Sequence, residues 1–227
     1  MALTSIFEFL PENGTPEQLF ILLHGENAAL EGLEALATAL RVAFPQGAIL
    51  APMDTDTKGL WYPTQGLTDD TYPQHVDAAM PALSAFVQAA QARFGLTAAQ
   101  TALAGFSQGA VMALQGSLPA YELAARVLAF GGRFASLPKT INNACTLHWL
   151  HGADDLVIPV QHAVAAQAWL TTLDGDSTID VASNVGHEIH PLLIARAVER
   201  LQTCVPLRSW KAALGLDQSA PVGVTLH

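Results

Sequence analysis

The sequence is short of charge. Lys, Arg, Asp and Glu make up 13% of it, about half the ~25% usual for soluble domains, while 51% is hydrophobic. So little polar surface predicts a large buried core, with a sheet covered on both faces. Basic residues are scarcer still: ten Lys and Arg stand against twenty Asp and Glu, for a net charge of −10 and a pI near 5.0. That balance leaves no footprint for a polyanion and excludes nucleic acid as a partner. The acidity reads as solubility rather than as steering of cationic substrates.

Cysteine is nearly absent as well. Cys145 and Cys204 are too few for a disulfide framework and lie in no C-x-x-C pair. The stretch Met1–Glu8 lacks a positive region followed by an apolar one, so no secretory signal is expected. No uncharged apolar run reaches the ~18 residues of a membrane span, which excludes stable membrane insertion. A reducing cytoplasm is the expected location. Internal repeats and low-complexity tracts are missing too. At 227 residues the chain is expected to form one domain over residues 1–205, with a weakly patterned tail over 206–227.

What is present is alternation. Short apolar runs at Leu19–Leu23, Ala48–Ala51, Thr101–Ala104, Arg126–Phe130, Thr146–Leu150 and Thr178–Val181 read as strands. Helical spacing marks about Leu30–Phe44, Pro73–Phe94 closed by Gly95, Gln108–Leu118, Val160–Leu173 and Ile189–Leu201. Strands alternating with helices predict an α/β fold with a mainly parallel, twisted sheet and helices on both faces. In such sheets active sites form at the carboxyl ends of the strands.

Gly105-Phe106-Ser107-Gln108-Gly109 sits at one of those ends and matches G-x-S-x-G. The spacing has a steric reason: the serine occupies a strained strand-to-helix turn, and the flanking glycines let backbone pass closely. The helix N-terminus that follows suits a developing oxyanion. Seen alone, the segment could be a glycine-rich turn with Ser107 as an ordinary N-cap.

A serine hydroxyl needs a histidine to take its proton and a carboxylate to hold that histidine. The order Ser, Asp, His is met by Asp154 or Asp155, in the loop after the Thr146–Leu150 strand, and by His187, in the loop before the last helix. Gly186 is expected to let that last loop turn. His190 competes with His187, but Pro191 and an expected helical setting leave it less free. Taken singly, the Asp pair reads as a polar turn and His187 as a surface histidine. A metal site is disfavoured: His187 and His190 are three apart where the helical zinc motif needs four, and His148 and His151 point to opposite faces of a strand. No cofactor is expected.

At these residues the chain resembles the carboxylesterase/phospholipase family of α/β-hydrolases, which includes the acyl-protein thioesterases, and in particular its small bacterial esterases. The resemblance runs from about Leu19 to Leu201. It rests on Leu23-His24-Gly25, on Trp61, on Gly105 to Gly109, on His151-Gly152 through Asp155 to Pro159, and on Gly186-His187. It implies the α/β-hydrolase fold, a Ser107, Asp155 and His187 triad, and an oxyanion hole from the backbone amides of Glu26 and Gln108. Asp155 is preferred to Asp154, because it is the fifth residue of the His151-Gly152-x-x-Asp155 run. Trp61 matches a family aromatic near the substrate cleft, a substrate-binding role set against ordinary core packing. Family members usually follow His-Gly with an apolar residue and then Gly-Asp; here Glu26-Asn27 follow, and Glu26 is expected to face solvent. The implied activity is hydrolysis of small carboxylic esters through an acyl-serine, with longer-chain thioesters or lysophospholipids as the alternative. A non-catalytic binding module is the reading from another class, and would need a broken triad. The partner is thus a small-molecule ester or thioester; oligomeric state is left open, a homodimer included.

Overall fold

The computed structural model describes residues 3–12, 14–28, 32–53, 59–206 and 209. Seven strands form one sheet: β1 (Thr4–Phe9), β2 (Gln18–Leu23), β3 (Gly47–Met53), β4 (Thr101–Phe106), β5 (Arg126–Phe130), β6 (Thr146–Gly152) and β7 (Asp176–Ala182). Their order across the sheet is β1-β3-β2-β4-β5-β6-β7. All pairs are parallel except β1 with β3, which is antiparallel and carries a register shift between Ser5 and Phe7. The expected mainly parallel sheet is therefore observed, with one edge strand that the apolar runs did not announce.

Among the described residues five α-helices cover it: α1 (Leu33–Ala43), α2 (Tyr72–Phe94), α3 (Gln108–Gly116), α4 (Gln161–Thr172) and α5 (Pro191–Thr203). Alternation along the strands sorts the core into two layers, because successive side chains point to opposite faces. Leu19, Ile21, Leu23, Leu103, Val127, Ala129, Leu147 and Trp149 pack with Val76, Met80 and Leu83 of α2, with α3 and with α4. Phe20, Leu22, Ala102, Ala104, Leu128, Phe130 and Leu150 pack on the other face against α1 and α5. Both faces are covered, as the low charge content requires.

The helix ends follow local chemistry. Gly95 closes α2 in the left-handed conformation, φ 68°, where a residue without Cβ is least strained. The tail after Pro206 lies outside the described residues apart from position 209, as do residues 54–58 of the loop that follows β3. No helix among the described residues is long and apolar enough to cross a membrane.

Candidate active site

The carboxyl ends of β4, β6 and β7 gather the three residues singled out above. Ser107 stands between β4 and α3 with φ 52° and ψ −115°, a backbone state that costs of order 1–3 kcal/mol for a non-glycine residue and persists only when its surroundings enforce it. Two glycines make the turn possible. A Cβ at Gly105 would lie 2.1 Å from Gly109 O, and one at Gly109 would lie 2.1 Å from Leu23 O. The helix thus starts directly against strands β2 and β4, and the Ser107 amide donates to Phe130 O at 3.0 Å.

Ser107 Oγ lies 3.0 Å from His187 Nε2, and His187 Nδ1 lies 2.7 Å from Asp155 Oδ2. The imidazole is 16% exposed and the carboxylate fully buried, with Phe106 tilted against the imidazole at a ring separation of 4.7 Å. Asp155 Oδ1 accepts from the amides of Val157 at 2.9 Å and Ile158 at 2.8 Å. A buried carboxylate with this many donors is held in one orientation. Asp154, by contrast, is exposed. Its amide donates to Val185 O, which ties the β6 turn to the loop that carries His187.

Two sequence expectations about that loop are corrected. Gly186 is not the residue that needs to be glycine: a Cβ there would meet nothing nearer than Asp154 O at 3.9 Å. The left-handed step falls on Asn184, φ 58°, and the essential glycine is Gly152, whose Cβ would lie 2.3 Å from both Gly186 O and Val185 O. His190 is not helical either. It caps α5 from an extended conformation, its Nδ1 accepting from Leu192 N, which occupies that nitrogen away from Ser107.

Gln108 directly follows the serine, and Glu26 lies in the loop after β2. Gln108 is the first residue of α3, where backbone amides have no partner within the helix. Its side chain locks the neighbouring loop, Oε1 accepting from Trp61 N at 3.0 Å and Nε2 donating to Tyr62 O at 3.1 Å. Gly25 abuts the site, since a Cβ on it would sit 3.6 Å from Ser107 Cβ. Glu26 follows in a short 3₁₀ turn, and its exposed carboxylate accepts from Thr64 Oγ1 at 3.1 Å. The carboxylate therefore faces outward, as expected. Trp61 is 8% exposed; it stacks on His24 and donates its indole N–H to His24 O at 2.8 Å. Its contacts are those of a brace for the Gly25–Glu26 loop.

Three neighbours were given no role at the site by the sequence reading: Gly131 went unremarked, and His24 and His151 entered only as letters of motifs. Gly131 follows β5 at φ 51°, and a Cβ there would come within 3.1 Å of His187 Nδ1 and 3.3 Å of Asp155 Oδ2. The Gly131-Gly132 pair at a strand end was the available signal. His24 and His151 are buried imidazoles, and burial lowers the pKa of each, so both are neutral neighbours of the site. The described residues contain no cluster of three or more His, Cys, Asp or Glu that could hold a metal ion.

Comparison with known proteins places the chain in a family. Residues 6–205 match the Phospholipase/Carboxylesterase family. The chain is 36% identical over 203 residues to an Escherichia coli (strain K12) protein named Esterase YpfH, covering 87% of this chain and 88% of the relative. Among solved structures, esterase PE8 is 27% identical with a TM-score of 0.77, covering 89% of this chain and 99% of its own. A Bacillus cereus carboxylesterase, 13% identical, shares the fold with a TM-score of 0.73 over 88% of this chain and 93% of its own. With its mostly parallel sheet flanked by helices, this chain belongs to the phospholipase/carboxylesterase family of α/β-hydrolases and is a carboxylic ester hydrolase.

Proposed function

We propose that the chain cleaves small carboxylic esters through an acyl-serine intermediate, with Ser107, His187 and Asp155 as nucleophile, base and orienting acid. One observation carries the reading: the run Ser107 Oγ, His187 Nε2, His187 Nδ1, Asp155 Oδ2, with hydrogen-bond separations of 3.0 and 2.7 Å. Ser107 Oγ attacks the ester carbonyl while His187 Nε2 takes its proton. Asp155 keeps the Nδ1 proton in place and stabilises the imidazolium. The tetrahedral oxyanion is received by the amides of Glu26 and Gln108, each contributing roughly 3 kcal/mol to the fall in barrier. The imidazolium then protonates the leaving alcohol. Water, deprotonated by the same imidazole, cleaves the acyl-serine and restores the hydroxyl.

Trp61 supports this machinery by holding His24 O, and with it the Glu26 amide, at the rim of the site. We place the whole catalytic unit in one domain over residues 1–205 and the protein in the cytoplasm, the latter because two cysteines in no C-x-x-C pair are too few for a disulfide framework. The test is direct. Ser107→Ala should abolish both fluorophosphonate labelling and turnover of short-chain p-nitrophenyl esters. Unchanged turnover in that variant would remove the proposal. A chain-length series of esters and thioesters separates a small-ester enzyme from a thioesterase or lysophospholipase, which would favour long acyl groups.

A further inference from the structure

The mechanism leaves two buried imidazoles beside the site without a task, His24 and His151, and the second touches the triad itself. His151 is the penultimate residue of strand β6, its side chain wholly buried. Its Nε2 lies 2.7 Å from Ile158 O; a carbonyl only accepts, so the proton sits on Nε2 and the bare Nδ1 is left buried without a hydrogen-bond partner among the described residues. The same Nε2 is 3.3 Å from Asp155 Oδ2. Ile158 in turn donates its amide to Asp155 Oδ1 at 2.8 Å. The contacts close a ring: imidazole to Ile158 carbonyl, Ile158 amide to carboxylate, carboxylate back to the imidazole N–H edge.

We propose that His151 is a positioning residue for Asp155, holding the 152–158 turn closed around the carboxylate and keeping Oδ2 aimed at His187. The inference rests on the triad reading above. A purely apolar side chain of similar size would fill the space, but it would strand Ile158 O in the interior and loosen the amides that grip Oδ1. It would also remove the positive N–H edge beside Oδ2, so that the carboxylate charge would act more fully on His187. The groups that act on His151 are Asp155 in its own turn, His187 from the loop after β7 and His162 in α4; burial dominates and keeps the ring neutral.

The experiment compares kcat and KM of His151→Leu with those of His151→Gln in the ester assay. For His151→Leu the expected result is a fall in kcat of about tenfold, one charge-assisted contact's worth, with KM nearly unchanged. His151→Gln, whose amide can still donate to Ile158 O, should recover most of kcat. A folded His151→Leu with wild-type kcat overturns the inference, as does a glutamine variant no better than leucine. If the leucine variant does not fold, His151→Asn, too short to reach Ile158 O, takes its place with the same readings. Ser107→Ala run alongside separates the two levels. If it stays active the triad reading itself fails, whereas if it is dead while the position-151 variants are normal, only His151 loses its role.

Discussion

Replacing Asp155 by Asn changes one atom and should remove nearly all activity without unfolding the protein. Oδ1 accepts from two backbone amides, Val157 and Ile158, and these demand an oxygen. An asparagine must therefore keep its carbonyl there and turn its NH₂ toward His187 Nδ1, 2.7 Å away in the parent. Nδ1 then has to accept, which drives the imidazole proton onto Nε2, the nitrogen that faces Ser107 Oγ at 3.0 Å. A protonated Nε2 cannot take the serine proton. A tautomer reversed in this way costs on the order of 10⁴ in kcat, about 5 kcal/mol in the barrier. The assay is kcat and KM on a short-chain p-nitrophenyl ester, with a urea melt to show that the fold survives. Asp154→Asn, at an exposed position, should stay within about twofold of the parent, since surface substitutions of this kind change little. An Asp155→Asn enzyme within tenfold of wild type would refute the tautomer argument, and a dead Asp154→Asn would move the acid to the neighbouring residue.

Gly131→Ala should be impaired without touching substrate. The new methyl would sit 3.1 Å from His187 Nδ1 at a backbone φ of 51°, so the His187–Asp155 pair must shift. Stopped assays should show kcat down at least tenfold, given what small misplacements of catalytic groups cost; full activity would mean that the pair tolerates the displacement. Acid should destabilise the fold through its buried neutral histidines. His148, held by burial near a pKa of about 4 against 6.5, stabilises the native state above pH 6.5 and loses that contribution as pH falls. At pH 5 the loss from this group is about 2 kcal/mol. His24 and His151, shifted in the same direction, add to it. Urea midpoints at pH 7.5 and 5 measure the loss, which should shrink in His148→Gln; a midpoint independent of pH would contradict the assignment of neutral imidazoles.

Much of the fold was legible because the central parallel strands are buried apolar runs, and β2, β3, β4 and β6 are each followed by a helix. Arg126–Phe130 was readable to the residue. Strand β1 was not. It is an edge strand with Thr4, Ser5 and Glu8 exposed, its ladder is interrupted between Ser5 and Phe7, and Glu8 is held by an ion pair to Arg93 from distant α2. Such an element has no continuous apolar signature of its own. In the site, Ser107, Asp155 and His187 were legible as a group because the turn chemistry at Gly105 and Gly109 is local and the chain order is fixed. The supporting contacts were not, because they depend on which loops meet in space. Gly152 faces Val185, and Gly131 lies under His187, across gaps in sequence that no spacing rule spans. Trp61 could be read equally as cleft or core, and its bond to His24 O, across 37 residues, was not announced by any spacing. His151 was read as one letter of a motif, and only the closed ring through Ile158 suggests a task for it.

The central claim is that an acyl group passes through the Ser107 oxygen. Rapid mixing with excess p-nitrophenyl ester, followed by acid quench and peptide mass analysis, tests it most directly. The account predicts a burst of p-nitrophenol close to one equivalent per enzyme whenever deacylation is the slower step, and an acyl mass on the peptide containing Ser107. Steady turnover with the acyl mass on another residue would contradict it.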